Sequence, residues 1–537
     1  MVKTALWAIA LAAAFGQTVG PPGLESIGVA GMKADLAFLT SAPLGGRRAT
    51  DMGGRAAAEW IASEFARHGL TPASSGGWFQ RVPLIEYDVD LERTIGVLKH
   101  GKATRTFAYH DDFSTEGPTD ADVDRPLLWA GYGITAPEYG YDDYANVDAR
   151  GKIVIVMQHE PDETNPKSVF NGRGNTWHAD NRVKIVNAQR HGAVGVLLVP
   201  EPNRKHPSSL DRRIRMANGV DRKPERAGSL TLDDDDVLIP MMMLRDSMLR
   251  EILAAAGRNP QELQRAIDSR TRPMSLDLPG LSFRMRLVMR SIRRGPGFNV
   301  AALLSGSDPV LRDETVIVSA HFDHTGTPDG RMRPGADDNA SGTAGMLAIA
   351  RAFASATTRP RRSVLFLAFD AEEYPTLGST YYVNHPLRPL ATTRAVLNMD
   401  MIGRNETMFR YLEGYIEVDP DTSNQLNLVG TINCPGCREL IERENAAVGL
   451  SLSDKWNHEH ILNVYDRSDH FPFWTRGIPA IWFFTGFHPD YHEPADTMEK
   501  INWIKMEKVT KLVYRSAWAI ANASEPPSFT PKPGGAR

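Results

Sequence analysis

Four apolar runs in the C-terminal half of the chain end on side chains that can hold a proton or a cation. ETVIVSA runs into His321 and Asp323, RSVLFLAF into Asp370, Glu372 and Glu373, and RAVLNM into Asp400. AIWFFTG leads to HPDYHEPADT with His488 and His492. Ahead of a helical run, GADDNASGTAG adds Asp337 and Asp338. A lone histidine at a strand end is ordinary, and capping alone accounts for Asp or Ser before a helix. The adjacent pair Glu372 and Glu373 is less ordinary, because carboxylates at the edge of a buried strand repel unless a cation or a proton separates them. Two histidines, two aspartates and a glutamate are the mixed nitrogen and oxygen set that suits zinc. A second acid beside a metal-binding glutamate can accept a proton from water. An aspartate whose two oxygens bind different ions would hold them about 3.5 to 4 Å apart.

Such groups need a frame. From about Glu262 the chain alternates strands (GFNVAALLSG, ETVIVSAHFDH, RSVLFLAFDAEE, RAVLNMDMIG) with the helical run SGTAGMLAIARAFAS. That pattern predicts an α/β domain on a mostly parallel sheet with helices on both faces, whose ligands gather outside the carboxyl ends of the strands. Before it, from about Asp122, short strands (PLLWAGYG, GKIVIVM, AVGVLLVP, VLIPMMML) surround one helix, Val183 to Ala193, and read as a compact β-rich module. Earlier still lie two helical patterns, the second spanning Ala56 to His68 and ended by Gly69. The first residues, MVKTALWAIALAAAFGQ, have the layout of a secretory signal peptide, with cleavage expected after Gly16 and an apolar core too short for a comfortable membrane span. No internal repeat is visible.

Composition narrows the field. Across 537 residues, 42% are hydrophobic and 23% charged, which argues against wholesale disorder and against an integral membrane protein. Sixty-one basic residues against 65 acidic ones, net −4, leave no basic stripe suited to nucleic acid. The most basic patch, RMRLVMRSIRR from Arg284 to Arg294, reads as a solvated strand edge. Cys434 and Cys437, in NCPGC, are the only cysteines. They lack the partner ligands of a zinc site and a convincing preceding strand for a thioredoxin-like one, so a small disulfide or a bystander pair on a loop over the site is expected. Asp233 to Asp236 read as a solvated loop, with a calcium site the alternative. Asn405 and Asn522 begin glycosylation sequons.

Taken in order, SAHFDHTG, GADDNASGTAG, FLAFDAEEYPTLGS, NMDMIG and YHEPADT resemble the five metal-site motifs of the secreted two-zinc exopeptidases, the family of bacterial leucyl aminopeptidase and glutamate carboxypeptidase. Any one alone is weak; the five in order are specific. WAGYGITAPEYGYDDYANVDARGKIVIVM and NAQRHGAVGVLLV resemble the protease-associated domain inserted in that family. After the signal peptide expected at 1–16, the resemblance implies an N-terminal part of the peptidase domain at 22–118, a protease-associated domain at 119–261 and the catalytic domain at 262–523; the remaining 524–537, rich in Pro, Gly and Ser, is expected to be a disordered tail.

Carried over by position, it makes His321 and Asp400 ligands of one zinc and Glu373 and His492 ligands of the other, with Asp338 bridging them. Glu372 becomes the general base, Asp323 the partner that orients His321, and Tyr491 a donor to the developing oxyanion. Asp337 is left as a neighbour, Ser341 as the helix cap, Asp469 and His470 as pocket wall, and His488 and Asp490 as neighbours of His492. The expected reaction is hydrolysis of N-terminal residues from peptides, in a secreted or periplasmic setting, by a hydroxide held between two zincs. A carboxypeptidase of the same fold is the alternative. The intact ligand set speaks against a receptor-like relative, and the bridging acid speaks against a single-zinc acyltransferase such as glutaminyl cyclase.

Overall fold

The computed structural model describes residues 20–530 apart from 166, 171–175, 204–226, 234–236, 459–461 and 463. The expected signal peptide, and Asp234 to Asp236 of the acidic run, lie outside the described residues. The chain opens with helices α1 (Val29–Leu39) and α2 (Met52–Arg67) and a long strand, β1 (Phe79–Val89). It then leaves for a separate sheet made of β2 (Ile95–His100), β3 (Ala103–Ala108), β4 (Ala121–Trp129), β5 (Ile153–Met157), β6 (Gly195–Val199), β7 (Met241–Leu244) and β8 (Leu276–Leu287). Helices α3 (Asn181–Arg190) and α4 (Pro260–Asp268) belong to this excursion. β9 (Met289–Leu304) returns antiparallel along β1. After it come β10 (Thr315–His321), α5 (Gly342–Ser355), β11 (Ser363–Phe369), β12 (Thr393–Met399), β13 (Gln425–Val429), α6 (Pro435–Asn445), β14 (Ala480–Phe484) and α7 (Trp503–Asn522).

The first sheet runs β1-β9-β11-β10-β12-β14-β13, with short edge strands Ala227–Leu232 beside β1 and Ser451–Ser453 beside β13. Its centre, β11-β10-β12-β14, is parallel. Parallel strands covered on both faces need apolar side chains pointing both ways, which is why β10 and β11 are buried at every position. Val316, Val318, Val364 and Phe366 pack toward Leu36, Ile61, Leu347 and Val513 of the helices on one face. Ile317, Leu365 and Leu367 join Trp456, Phe473 and Trp482 on the other. This is the predicted α/β architecture with helices on both sides.

The second sheet runs β3-β2-β8-β4-β5-β6-β7, with β4 to β7 parallel. It draws in β2, β3 and β8, from both sides of the 119–261 segment. β8 and β9 follow one another almost without a break, one in each sheet, so the arginine-rich run is the crossing between sheets. Arg284 pairs with Asp122 at 2.6 Å, Arg293 pairs with Glu86, and Arg294 lies 3.1 Å from Asp233.

Two expectations change. Cys434 and Cys437 are bonded, but they are buried at the N-terminus of α6, behind the buried strand β13, and not on a loop over the site. Gln425 and Asn427 interrupt the apolar pattern of that strand and hide it from a sequence reading. Within the tail expected to be disordered, Phe529 packs its ring against Trp474 and the Thr530 N–H donates to the Asn433 carbonyl at 2.7 Å. Among the described residues, no helix is long and apolar enough to cross a membrane.

Candidate metal centre

Parallel pairing of β10, β11, β12 and β14 sets their carboxyl ends side by side, so the residues that follow them converge. His321 closes β10, Asp370 to Glu373 follow β11, Asp400 follows β12, and the segment after β14 brings His492. The turns that aim them are tight. Ala371, Met401 and His492 sit at φ 57°, 56° and 57°, in the left-handed region that costs a residue with a Cβ about 1 kcal/mol or more.

The side-chain donors fall into two groups, each within 4.8 Å: His321, Glu372 and Asp400 in one, and His324, Asp338, Glu373 and His492 in the other. Asp338 faces both. Its Oδ1 lies 3.4 Å from His321 Nε2 and its Oδ2 lies 3.0 Å from His492 Nε2. His321 Nε2 is 3.3 Å from Asp400 Oδ1, and His492 Nε2 is 3.0 Å from Glu373 Oε2. Glu372 reaches into the first group, with Oε2 3.7 Å from His321 Nε2. Tyr491 stacks its ring on His492 at 3.9 Å between centroids.

Burial and charge oppose one another in this space. Burial alone would push His321 and His492 down, but Glu372 and Asp400 hold His321 well above the usual imidazole range, and Glu373 and Asp338 bring His492 up to about 10. Burial and Asp338 push Glu373 up, but His492 and His324 outweigh both and hold it at about 2. Asp338, raised by burial, is carried well below the carboxylate range by His321 and His492. Glu372 is pushed well above its range, chiefly by burial. A set of imidazoles and carboxylates converging from four strand ends is the donor chemistry of zinc, and two such groups sharing one aspartate fit a pair of ions.

The supporting contacts explain how the acids are held. Asp323 lies 3.5 Å from His321 Nδ1, and its carboxylate accepts the N–H groups of Glu372 at 3.0 Å and Glu373 at 3.4 Å. Ser468 donates to Asp400 at 2.6 Å, and Asn398 donates to Ser468. Asp496 accepts the N–H groups of Asp337 and Asp338 at 3.0 and 3.2 Å. Asp337 is fully buried; its Oδ1 accepts from Gly403 N at 2.6 Å and its Oδ2 lies 3.3 Å from His488 Nε2. Asp490 pairs with Arg404 and Lys500, away from the donor groups. Asp469 and His470 are wholly buried, and burial drives Asp469 up to about 7 and His470 down to about 3.

Ser341 does not cap α5 as expected. Its hydroxyl donates to the Asp337 carbonyl at 2.7 Å and accepts from Ile402 N, while Asn339 Oδ1 accepts the Gly342 N–H at 2.9 Å and does the capping. Three residues were not anticipated. His324 Nδ1 lies 2.6 Å from Glu373 Oε1 and 3.8 Å from Asp338 Oδ2. Asp496 grips the Asp337–Asp338 backbone. Arg47, fully buried, donates to the carbonyls of Phe322, Leu39, Pro334 and Gly335. The second histidine of HFDH was a visible signal for His324; Arg47 had none, lying 274 residues before His321 with no motif around it.

Known proteins resemble this chain in sequence and fold. Residues 299–517 match peptidase family M28 and residues 123–249 match the PA domain. Aminopeptidase YwaD of Bacillus subtilis is 29% identical over 231 residues, 42% of this chain and 45% of that protein. The probable glutamate carboxypeptidase AMP1 of Arabidopsis thaliana is 28% identical over 344 residues, 59% of this chain and 44% of that one. The match thus spans less than half the length of these two relatives. The solved aminopeptidase from Aneurinibacillus sp. strain AM-1 covers 95% of this chain and 97% of its own, with a TM-score of 0.52 at 19% identity, a likeness of fold. With a match to peptidase family M28 over 299–517 and to the PA domain over 123–249, between β1 and β9, the chain is similar to M28 peptidases that carry a PA domain.

Proposed function

We propose that the chain is a two-zinc aminopeptidase that removes N-terminal residues from peptides. The observation that carries this is Asp338, whose two oxygens face two separate donor groups. His321 and Asp400 would hold one ion, Glu373 and His492 the other, and Asp338 both. Zinc bound there supplies Lewis acidity toward the scissile carbonyl and toward water. Glu372, buried beside His321, takes up the proton of the attacking water and returns it to the leaving amine. Asp323 fixes the turn that carries Glu372 and Glu373 and orients the His321 ring. Tyr491, seated against His492, donates its hydroxyl to the oxyanion.

The free-amine reading rests on where the nearby guanidiniums are engaged. Arg47 is committed to four backbone carbonyls and Arg404 to Asp490 and Asp496. A carboxypeptidase would need such a group turned toward a substrate carboxylate. The apolar N-terminus supports export before activity. A panel of amino-acid p-nitroanilides and N-blocked dipeptides, run with and without chelator, tests the reading. Chelator-sensitive hydrolysis of free-amine substrates only is expected, whereas dependence on a free C-terminal carboxylate would overturn it. Glu372→Gln should retain zinc and lose activity by a factor on the order of 10² to 10⁴. An active variant would remove Glu372 as the base.

A further inference from the structure

The strand Ala227–Leu232 leaves the sheet of its sequence neighbours. It lies within the residues that match the PA domain, between β6 and β7 of the second sheet, yet it pairs antiparallel with β1 at the edge of the first. Leu230 lies opposite Glu86 and Leu232 opposite Leu84, and the Asp233 N–H donates to the Pro83 carbonyl at 2.9 Å. Two residues apart on a strand, Leu230 and Leu232 share a face. Both are buried, at 4% exposure, in a small apolar cluster with Ala49, Val82, Leu84 and Ala371, against which Tyr374 and Leu377 pack. This cluster is distinct from the main cores of the two sheets.

Ala371 and Tyr374 bracket Glu372 and Glu373. Ala371 is wholly buried and left-handed at φ 57°, and Thr376, at φ 53°, is left-handed as well. Two backbone hydrogen bonds close the turn between them, from Thr376 N to the Glu372 carbonyl at 2.9 Å and from Leu377 N to the Ala371 carbonyl at 3.1 Å. A residue with a Cβ keeps such a conformation only where the surrounding structure over-determines it. At Ala371 that structure is β1 together with a strand of the inserted domain. A polar chain runs alongside: Arg48 Nε donates to the Tyr374 hydroxyl at 2.8 Å, and Arg48 pairs at 2.6 Å with Glu86, the residue opposite Leu230.

We infer that Leu230 and Leu232, supplied by the inserted domain, are positioning residues for the peptidase centre: they pin the turn from Ala371 to Thr376 and so fix where Glu372 stands. The inference rests on the reading of Glu372 as the base. The competing account is that the two leucines contribute stability alone. Full-length Leu230→Ala, Leu232→Ala and Leu230→Ile are compared with Leu253→Ala, which removes the same side chain from the core of the second sheet, outside this cluster. Hydrogen exchange on the folded protein reads the turn whatever the chain hydrolyses. Amides of 371–377 should exchange about tenfold faster in the two cluster alanine variants, and at the parental rate in Leu230→Ile and Leu253→Ala. At equal bound zinc, kcat on amino-acid p-nitroanilides should fall by a factor on the order of 10 to 100 in the cluster alanine variants with KM within about twofold, as misplacement of a catalytic group predicts, and should recover in Leu230→Ile. Parental exchange at 371–377, an unchanged kcat, or an equal fall in kcat in Leu253→Ala overturns the inference. Should either alanine prevent folding, Leu230→Val carries the same comparison. A parent inactive on every free-amine substrate overturns the aminopeptidase reading instead, and the exchange rates then decide alone whether the leucines hold the turn.

Discussion

Replacing Arg47 by methionine tests whether the peptidase centre is held by geometry or only by charge. The guanidinium makes hydrogen bonds of 2.8 Å to the Phe322 carbonyl, 2.5 Å to Leu39, 2.7 Å to Pro334 and 3.0 Å to Gly335. Phe322 lies between His321 and Asp323, and Gly335 opens the turn that presents Asp338. One side chain thus ties the end of α1 to both loops that carry the proposed ligands. Burial lowers its pKa to about 10, with Asp338, Asp323, Asp496 and Glu373 opposing the shift, so it stays charged at neutral pH. Charged hydrogen bonds contribute about 1.5 kcal/mol each at the low end, a nominal sum of about 6 kcal/mol for four. Relaxation and entering water recover part of that, so a loss of about 3 to 5 kcal/mol, the usual range for a broken buried charge network, is expected for Arg47→Met.

The two accounts differ in the sign of the effect on metal binding. Removing a fixed positive charge beside Asp338 would tighten zinc binding if electrostatics were all that mattered. Loss of the clamp would loosen it by letting the loops drift. Arg47→Lys separates them, since lysine keeps the charge but offers a compact ammonium in place of a planar fork. The assay is zinc affinity by competition with a chromophoric chelator, together with the urea midpoint of each variant. Weaker zinc binding in both variants is expected. Arg47→Met within about 1 kcal/mol of the parent in stability, with equal or tighter zinc binding, would refute the clamp.

His324→Gln should weaken zinc binding by a factor on the order of 10 to 100, the usual cost of removing a group that orients a ligand, because Nδ1 is 2.6 Å from Glu373 Oε1; unchanged affinity by chelator competition would show the contact to be incidental. Glu314, hydrogen-bonded first to Arg394 and then to Arg362, is held at about 2, below its ordinary 4.5. A depressed carboxyl stabilises the fold above about pH 4.5 and loses that contribution as pH falls toward about 2, so Glu314→Gln should lower the denaturation midpoint at pH 7 and by progressively less below 4.5. A pH-independent difference would refute the linkage. Gly342→Ala gains helix propensity, but a Cβ there would meet the Met399 carbonyl at 2.2 Å and Asn339 Oδ1 at 2.3 Å. A net loss of about 1 to 3 kcal/mol in urea unfolding is expected, and a stabilised variant would show that the turn yields.

How far the sequence carried depended on the range of the forces involved. Residues at the ends of apolar parallel strands were readable, because burial forces β10, β11 and β12 to be continuous apolar runs and the sheet then sets their ends together. Asp338, Glu373 and His492 stood out by their neighbours. What holds them did not. Arg47 and Asp496 act on backbone groups across hundreds of residues, and a hydrogen bond to a carbonyl leaves no trace in the partner's side chain. The span of the second sheet was hidden for a similar reason: β8 pairs with β2 and β4 across a long separation, and its alternation with β9 looks like one strand. At the start of α5, sequence pointed to Ser341 as cap, since serine is favoured there, but the hydroxyl found Asp337 and Ile402 first, and Asn339 took the N–H.

The same balance explains why so much strain collects here. Three turn residues with side chains, Ala371, Met401 and His492, are left-handed, each at about 1 kcal/mol or more, and four buried carboxylates face one another. Hydrogen bonds from Ser468, from the backbone of Glu372 and Glu373 to Asp323, and from Arg47 to the loops hold the arrangement. What they cannot do is neutralise the acids, whose charge holds His321 and His492 above the usual imidazole range. Cations bound by these imidazoles and carboxylates, as proposed, would have to displace any protons the donors carry. A frame this stiff would keep Glu372 in place beside His321, which its proposed role as a base, and not as one more ligand, requires.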